Sequence, residues 1–175
     1  MVVFILNIME IIDNFLEAKE FNSLLDLING EFPWYSGDKV TTHIPSPVPG
    51  YEAIGTHKQL AHVFINPLAR SVHLDKLDNL ITQLGAKVIY RIKANLTFNL
   101  GKRVVSGWHY DDDSVEDMKV AVLYLNTNDG FTLLEDGTKV HSKANRLVTF
   151  DGNTLHTGVS QLDTEERLVL NINYR

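Results

Sequence analysis

The apolar positions of this chain change period twice, and the changes mark its elements. MVVFILNIMEII, at the start, is a nearly unbroken apolar run and predicts a buried strand. Residues 16–29, LEAKEFNSLLDLIN, place Leu16, Phe21, Leu24, Leu25 and Ile28 at helical spacing, with Gly30 as a stop. Residues 72–84, VHLDKLDNLITQL, do the same with Leu74, Leu77, Leu80, Ile81 and Leu84, closed by Gly85. The period then drops to two. In KVIYRIKANLTF, Val88, Tyr90, Ile92, Ala94, Leu96 and Phe98 share one face, and Lys87, Ile89, Arg91, Lys93, Asn95 and Thr97 share the other. Strand-like runs follow at 119–126, 131–135, 138–142, 146–150 and 167–174, with EDGT at 135–138 as a hairpin signal. Two helices and then short antiparallel strands predict a mainly β, α+β fold with helices packed on a β-sandwich or barrel.

A length of 175 residues suits one domain, 1–175. Its expected parts are a helical support region over about 14–85 and a β core over about 86–175. Within the first part, FPWYSGDKVTTHIPSPVPGYEAIG reads as a loop and holds four of the five prolines. Long loops in compact domains tend to be lids or binding loops. Its aromatics, Trp34, Tyr35 and Tyr51, either pack the loop onto the domain or meet a substrate. Packing is the simpler reading. Trp34 and Tyr35 are carried as substrate candidates.

Composition narrows the chemistry. A net charge of −6 argues against a protein that grips phosphate backbones, so nucleic acid is not the expected partner. The absence of cysteine removes disulfides, thiolate metal sites, iron–sulfur clusters and cysteine nucleophiles, and fits a soluble, intracellular, cytoplasmic protein. Any metal must then be held by His, Asp or Glu, a donor set that suits Fe(II), Mn(II) or Zn(II). The N-terminal run lacks a basic flank and a small-residue cleavage site, so it is a poor signal peptide. Glu10 and Asp13 cut it short of a membrane span, and Met9 is a candidate alternative start.

The central motif is Trp108-His109-Tyr110-Asp111. On a strand, residues two apart point the same way, so His109 and Asp111 can reach one ion. His156, in LHTGVS after the run NRLVTF, is the candidate third ligand. Two histidines and a carboxylate on one face of an octahedron leave open positions, as in non-haem Fe(II) oxygenases. The HxD pair alone is weak: seven His and thirteen Asp in this length give about 0.5 such pairs by chance. The chain holds a second pair, His73 and Asp75, but it falls in the second helix, where the two side chains diverge by about 200°. The last strand strengthens the case. Leu168, Leu170, Ile172 and Tyr174 share one face, and Arg167, Val169, Asn171 and Asn173 share the other. That second face is either solvated or the lining of a polar cleft, where Arg167 would offer a planar fork for a carboxylate.

WHYD, VLYLN, DGFT, NRLVTF, LHTGVS and RLVLNINY, in that order, resemble the Fe(II)/2-oxoglutarate-dependent dioxygenases, nearest to the prolyl-hydroxylase-type branch with its small phage and bacterial members. The resemblance covers about residues 88–174. It implies a double-stranded β-helix (jelly roll, cupin-like) with N-terminal helices packed on it. It implies Fe(II) on His109, Asp111 and His156, and 2-oxoglutarate with its far carboxylate on Arg167, contacted also by Tyr124. Asn171 is a weaker candidate for the same pocket. The implied reaction consumes O₂ and 2-oxoglutarate and hydroxylates a substrate, with ascorbate as a candidate reductant. Asp129-Gly130-Phe131-Thr132 departs from the family's frequent paired glycines.

Arg91, Lys93 and Asn95 share a face of the strand before the metal motif. They are either a solvated sheet face, the ordinary reading for charged residues, or contacts for an anionic substrate or supports for the co-substrate. By analogy the first substrate expectation is a protein or peptide, specifically a peptidyl proline. The rival readings are a cupin-like metal isomerase or epimerase, for which Arg167 would be dispensable, and a non-catalytic metal-binding module.

Overall fold

The computed structural model describes residues 9–37, 52–53, 59–111 and 115–175. In chain order the elements are β1 (Glu10–Ile12), α1 (Ala18–Asn29), β2 (Tyr35–Gly37), β3 (Glu52–Ala53), β4 (Gln59–Asn66), β5 (Ala69–Arg70), a 3₁₀ turn (Leu74–Leu77) running into α2 (Asp78–Leu84), β6 (Ile89–Phe98), β7 (Val104–Val105), β8 (Lys119–Tyr124), β9 (Phe131–Leu134), β10 (Lys139–His141), β11 (Arg146–Asp151), β12 (His156–Val159) and β13 (Glu166–Tyr174). The larger sheet runs β1-β11-β8-β13-β6-β4-β2, with β5 on β4. The smaller runs β10-β9-β12-β7-β3. From β6 onward the chain passes back and forth between the two sheets, which is the winding of a jelly roll.

The large sheet is covered on both faces. One face packs Ile92, Ala94 and Leu96 of β6 and Leu168, Leu170 and Ile172 of β13 against Phe21, Leu24 and Ile28 of α1 and Leu80 of α2. The opposite face turns inward to the small sheet, where Val120, Tyr124, Val148 and Phe150 meet Leu134 and Val140. Burial on both sides explains why VAVLY of β8 is continuously apolar rather than alternating. β13 does alternate, and its second face is not solvated: Arg167 and Asn173 are buried there. The register sets Thr97 opposite Arg167, Asn95 opposite Val169, Lys93 opposite Asn171 and Arg91 opposite Asn173. These cross-strand pairs project between the sheets.

Three expectations need correction. The N-terminal run was expected to be a buried strand. Its described part, β1, is an edge strand on β11 with Ile11 44% exposed, and residues 1–8 lie outside the described residues. The region 14–85 is not only helical, because β4 extends the large sheet beside β6. The second helix is shorter than expected, since its first turn is 3₁₀ and α2 proper begins at Asp78. Much of the proline-rich loop, including Tyr51, lies outside the described residues. The EDGT hairpin is present: Gly137 takes φ 88° and the Thr138 N–H donates to Asp136 Oδ1 at 2.8 Å. No helix among the described residues is long and apolar enough to cross a membrane.

Leu170 sits in register between Ala94 and Leu123 and is fully buried. Leu170→Ala is expected to cost about 2–5 kcal/mol in urea denaturation, through lost burial and a residual cavity. Leu68→Ala, at a position 95% exposed, is expected to leave the midpoint unchanged.

Candidate functional site

His156 opens β12, and His109 lies beside it. The two exchange backbone hydrogen bonds: His109 N–H donates to His156 O at 3.0 Å, and His156 N–H donates to His109 O at 3.1 Å. His109 was expected on a strand with Asp111. It makes only this isolated bridge, and Asp111 follows in a bend. The side chains converge all the same. The ligand atoms of His109, Asp111 and His156 all lie within 4.8 Å of one another, and His109 Nε2 stands 3.8 Å from Asp111 Oδ1.

The imidazoles are oriented by the same local device. His109 Nδ1 faces Gly107 O at 3.1 Å, and His156 Nδ1 faces Thr154 O at 2.9 Å. A carbonyl only accepts, so each Nδ1 carries a proton and Nε2 is the nitrogen left to face a metal. Burial, then the neighbouring His156, pushes the His109 pKa down to about 4, so its imidazole is neutral at ordinary pH. Asp111 is fixed from both oxygens. Arg91 Nη2 donates to Oδ1 at 3.0 Å, and Asn173 Nδ2 donates to Oδ2 at 2.9 Å, while Arg91 Nε donates to Asn173 Oδ1 at 2.9 Å. Burial would raise the Asp111 carboxyl, but Arg91, the two imidazoles and Asn173 outweigh it and hold the pKa below the usual carboxylate range. The cluster offers two imidazole nitrogens and one carboxylate, a set suited to a divalent first-row metal.

The cluster opens on a cavity of about 290 Å³ between the sheets. Arg91, Lys93, Asn95 and Thr97 of β6 line it, facing Arg167, Val169 and Asn171 of β13. The ordinary reading of Arg91, Lys93 and Asn95 as a solvated sheet face is therefore corrected. Arg167 is buried, its Nε donates to Ser142 Oγ at 3.0 Å, and no carboxylate among the described residues pairs with it. Burial pulls its pKa down, yet a guanidinium stays charged. Gly130 makes room for this side chain, since a Cβ there would stand 2.9 Å from Arg167 Cδ and 2.8 Å from Asn128 Oδ1. The single glycine of DGFT thus stands where space is needed.

Other candidates fall elsewhere. Tyr124 does not line the cavity. It is fully buried, its hydroxyl lies 2.8 Å from Thr132 Oγ1 and 3.1 Å from Val140 O, and its ring stands 5.7 Å from the Arg167 guanidinium. It supports Arg167 from within the core rather than offering a contact of its own. Trp34 packs edge-on to Phe32 against the helix-side core, and Tyr35 is 64% exposed on the edge strand β2. Neither lines the cavity, because both belong to the far edge of the large sheet. The sequence reading missed Asn173, Gln59, Ser106 and Thr132. Asn173 was legible in the alternation of β13, two residues on from Asn171. Gln59 lies on the unforeseen β4.

No protein-family model and no curated protein matches the chain. Solved structures do. A 2OG-Fe(II) oxygenase family oxidoreductase from Burkholderia pseudomallei aligns over 95% of this chain and 84% of its own, at 15% identity and a TM-score of 0.68. A prolyl-4-hydroxylase from Pseudomonas putida aligns over 97% and 94%, at 21% identity and a TM-score of 0.56. The non-heme alpha ketoglutarate dependent epimerase SnoN from nogalamycin biosynthesis aligns over 97% and 78%, at 15% identity and a TM-score of 0.66. The chain therefore has the jelly-roll fold of the 2OG-Fe(II) oxygenase structures, prolyl-4-hydroxylase among them, over most of its length.

Proposed function

We propose that this protein is an Fe(II)- and 2-oxoglutarate-dependent oxygenase that hydroxylates its substrate, with His109, Asp111 and His156 as iron ligands and Arg167 as the anchor for the co-substrate. The observation that carries this reading is one cavity holding both the converging ligand atoms and a buried guanidinium without a carboxylate partner among the described residues. A buried cation is costly unless an anion meets it. The far carboxylate of 2-oxoglutarate fits that need, and the fork of Arg167 matches it bidentately. Asn171, on the same face, would border the bound chain of the co-substrate.

Iron with 2-oxoglutarate would supply the oxidation, in which O₂ is consumed, succinate and CO₂ are formed and a substrate C–H bond is hydroxylated. The protein's own residues do the rest. Gly107 O and Thr154 O hold both imidazoles with Nε2 toward the metal position. Arg91 and Asn173 hold the Asp111 carboxylate. A peptidyl proline is the first substrate to test, in keeping with the fold shared with a prolyl-4-hydroxylase. The epimerase of the same fold favours a second reading, inversion of a C–H centre at the same site.

Anaerobic addition of Fe(II) and 2-oxoglutarate to metal-free protein is expected to give a visible charge-transfer band. His109→Ala should abolish it, and Arg167→Ala should raise the 2-oxoglutarate concentration needed for half-saturation by at least about tenfold. A wild-type protein without the band would overturn the oxygenase reading. Asn173→Ala removes a hydrogen bond from Asp111 and one from Arg91, so Fe(II) affinity is expected to fall about 10- to 100-fold in direct metal titration. Labelled O₂ separates the two readings: label in the product marks hydroxylation, and an unlabelled, inverted product marks epimerisation.

A further inference from the structure

The charge of the cavity exceeds what iron and 2-oxoglutarate can use. Among the described residues Arg91, Lys93 and Arg167 line it as cations, against the one carboxylate of Asp111. Arg91 is paired with Asp111, and Arg167 awaits the far carboxylate. Lys93 is left over. It projects from β6 opposite Asn171, one cross-strand pair from Arg91 and Asn173 and two from Arg167. Those pairs are spaced roughly 7 Å apart along the strands. Lys93 therefore belongs to the metal end of the cavity rather than to the Arg167 end. Among the described residues its ammonium has no hydrogen-bond or ion-pair partner. Burial, then Arg91, pulls its pKa below that of an ordinary lysine, with Asp111 opposing.

Lys93 is half-buried, and drawing a strongly hydrated ammonium part-way out of water favours a partner that replaces the lost hydration. A cation that faces the cavity with no partner among the described residues marks a place that an anionic ligand completes. Building on the oxygenase reading above, we propose that the primary substrate carries an oxyanion group, a carboxylate or a phosphate, that pairs with Lys93 inside the cavity beside the metal. Both carboxylates of 2-oxoglutarate are already committed, one at the metal and one at Arg167, so this anion is a third. A peptidyl proline ring by itself does not supply it. The substrate is a molecule whose reacting carbon lies within a few bonds of its negative charge.

The test uses the full chain, loaded anaerobically with Fe(II) and 2-oxoglutarate and titrated at constant ionic strength with inorganic phosphate, with acetate or with chloride. The readouts are the thermal unfolding midpoint and the 2-oxoglutarate band. In the wild type, phosphate or acetate is expected to raise the midpoint saturably above the chloride control, with the band intact. Response to phosphate alone identifies a phosphorylated substrate, and response to acetate alone a carboxylated one. Lys93→Gln should weaken this effect at least about tenfold, and Lys93→Arg should keep it. Without ligands Lys93→Gln should fold about as stably as the wild type, since it removes an unpaired, half-buried charge. The proposal is overturned if neither anion acts on wild-type protein that shows the band, if the effect survives in Lys93→Gln, or if the anion bleaches the band by taking the metal. It is also overturned if Lys93→Gln weakens 2-oxoglutarate itself about tenfold, which would assign Lys93 to the co-substrate. Absence of the band in the wild type is the separate failure of the oxygenase reading, and this proposal falls with it.

Discussion

The two backbone hydrogen bonds between His109 and His156 constrain everything else in the cavity. His156 is anchored in β12, which pairs with β9. His109 comes from a loop and has no ladder of its own, so its place is set by that exchange. Each imidazole is then turned by a carbonyl two residues before it, Gly107 O for His109 and Thr154 O for His156. Gly107 takes φ 93°, a conformation that glycine accepts without strain and that lets the chain reverse just ahead of the histidine. Only with both rings fixed does the Asp111 carboxylate, held from β6 and β13, complete a coordination face.

Those holding residues make β6 and β13 the structural centre of the site. The two strands pair over nearly their whole length, and each carries apolar residues to the helices and polar residues to the cavity. Because the side-chain period is two, a slip of one residue would send Arg167 and Asn173 to the helix side and Leu168 and Leu170 into the cavity. The helix-side core therefore does more than stabilise the domain. Burial of Leu168, Leu170 and Ile172 fixes the register that aims the polar face. Tyr124 adds a second constraint on that face, its ring against the Arg167 guanidinium and its hydroxyl tied to Thr132 and Val140.

Much of this was legible in the sequence, for a physical reason. β6 and β13 alternate cleanly, and alternation on a sheet covered on both sides leaves the polar face only a cavity to line. β4 was not legible. Its central His62 is a buried polar residue, 2.8 Å from both Pro33 O and Ser71 Oγ, and a register shift between Val63 and Ile65 breaks the period. Trp34 and Tyr35 misled in the opposite direction. Aromatic residues in a proline-rich loop suggest recognition, but Trp34 serves the core and Tyr35 a sheet edge. The face that Asn173 shares was legible in that alternation, but its role was not, because the partner that engages it, Arg91, comes from a second strand.

The net charge of the chain and the charge of its cavity point in opposite directions, and the distance scale decides which governs binding. The chain as a whole carries −6. At physiological ionic strength a surface charge is largely screened beyond about 8 Å. An anion in the cavity therefore responds mainly to Arg91, Lys93 and Arg167, which line it. The acidic exterior speaks against a long polyanion, whose further charges would lie along that surface. It leaves a small anion unaffected. The same composition that argued against nucleic acid is thus compatible with a cavity that admits compact, negatively charged molecules, between the His109, Asp111 and His156 cluster at one end and the Arg167 guanidinium at the other.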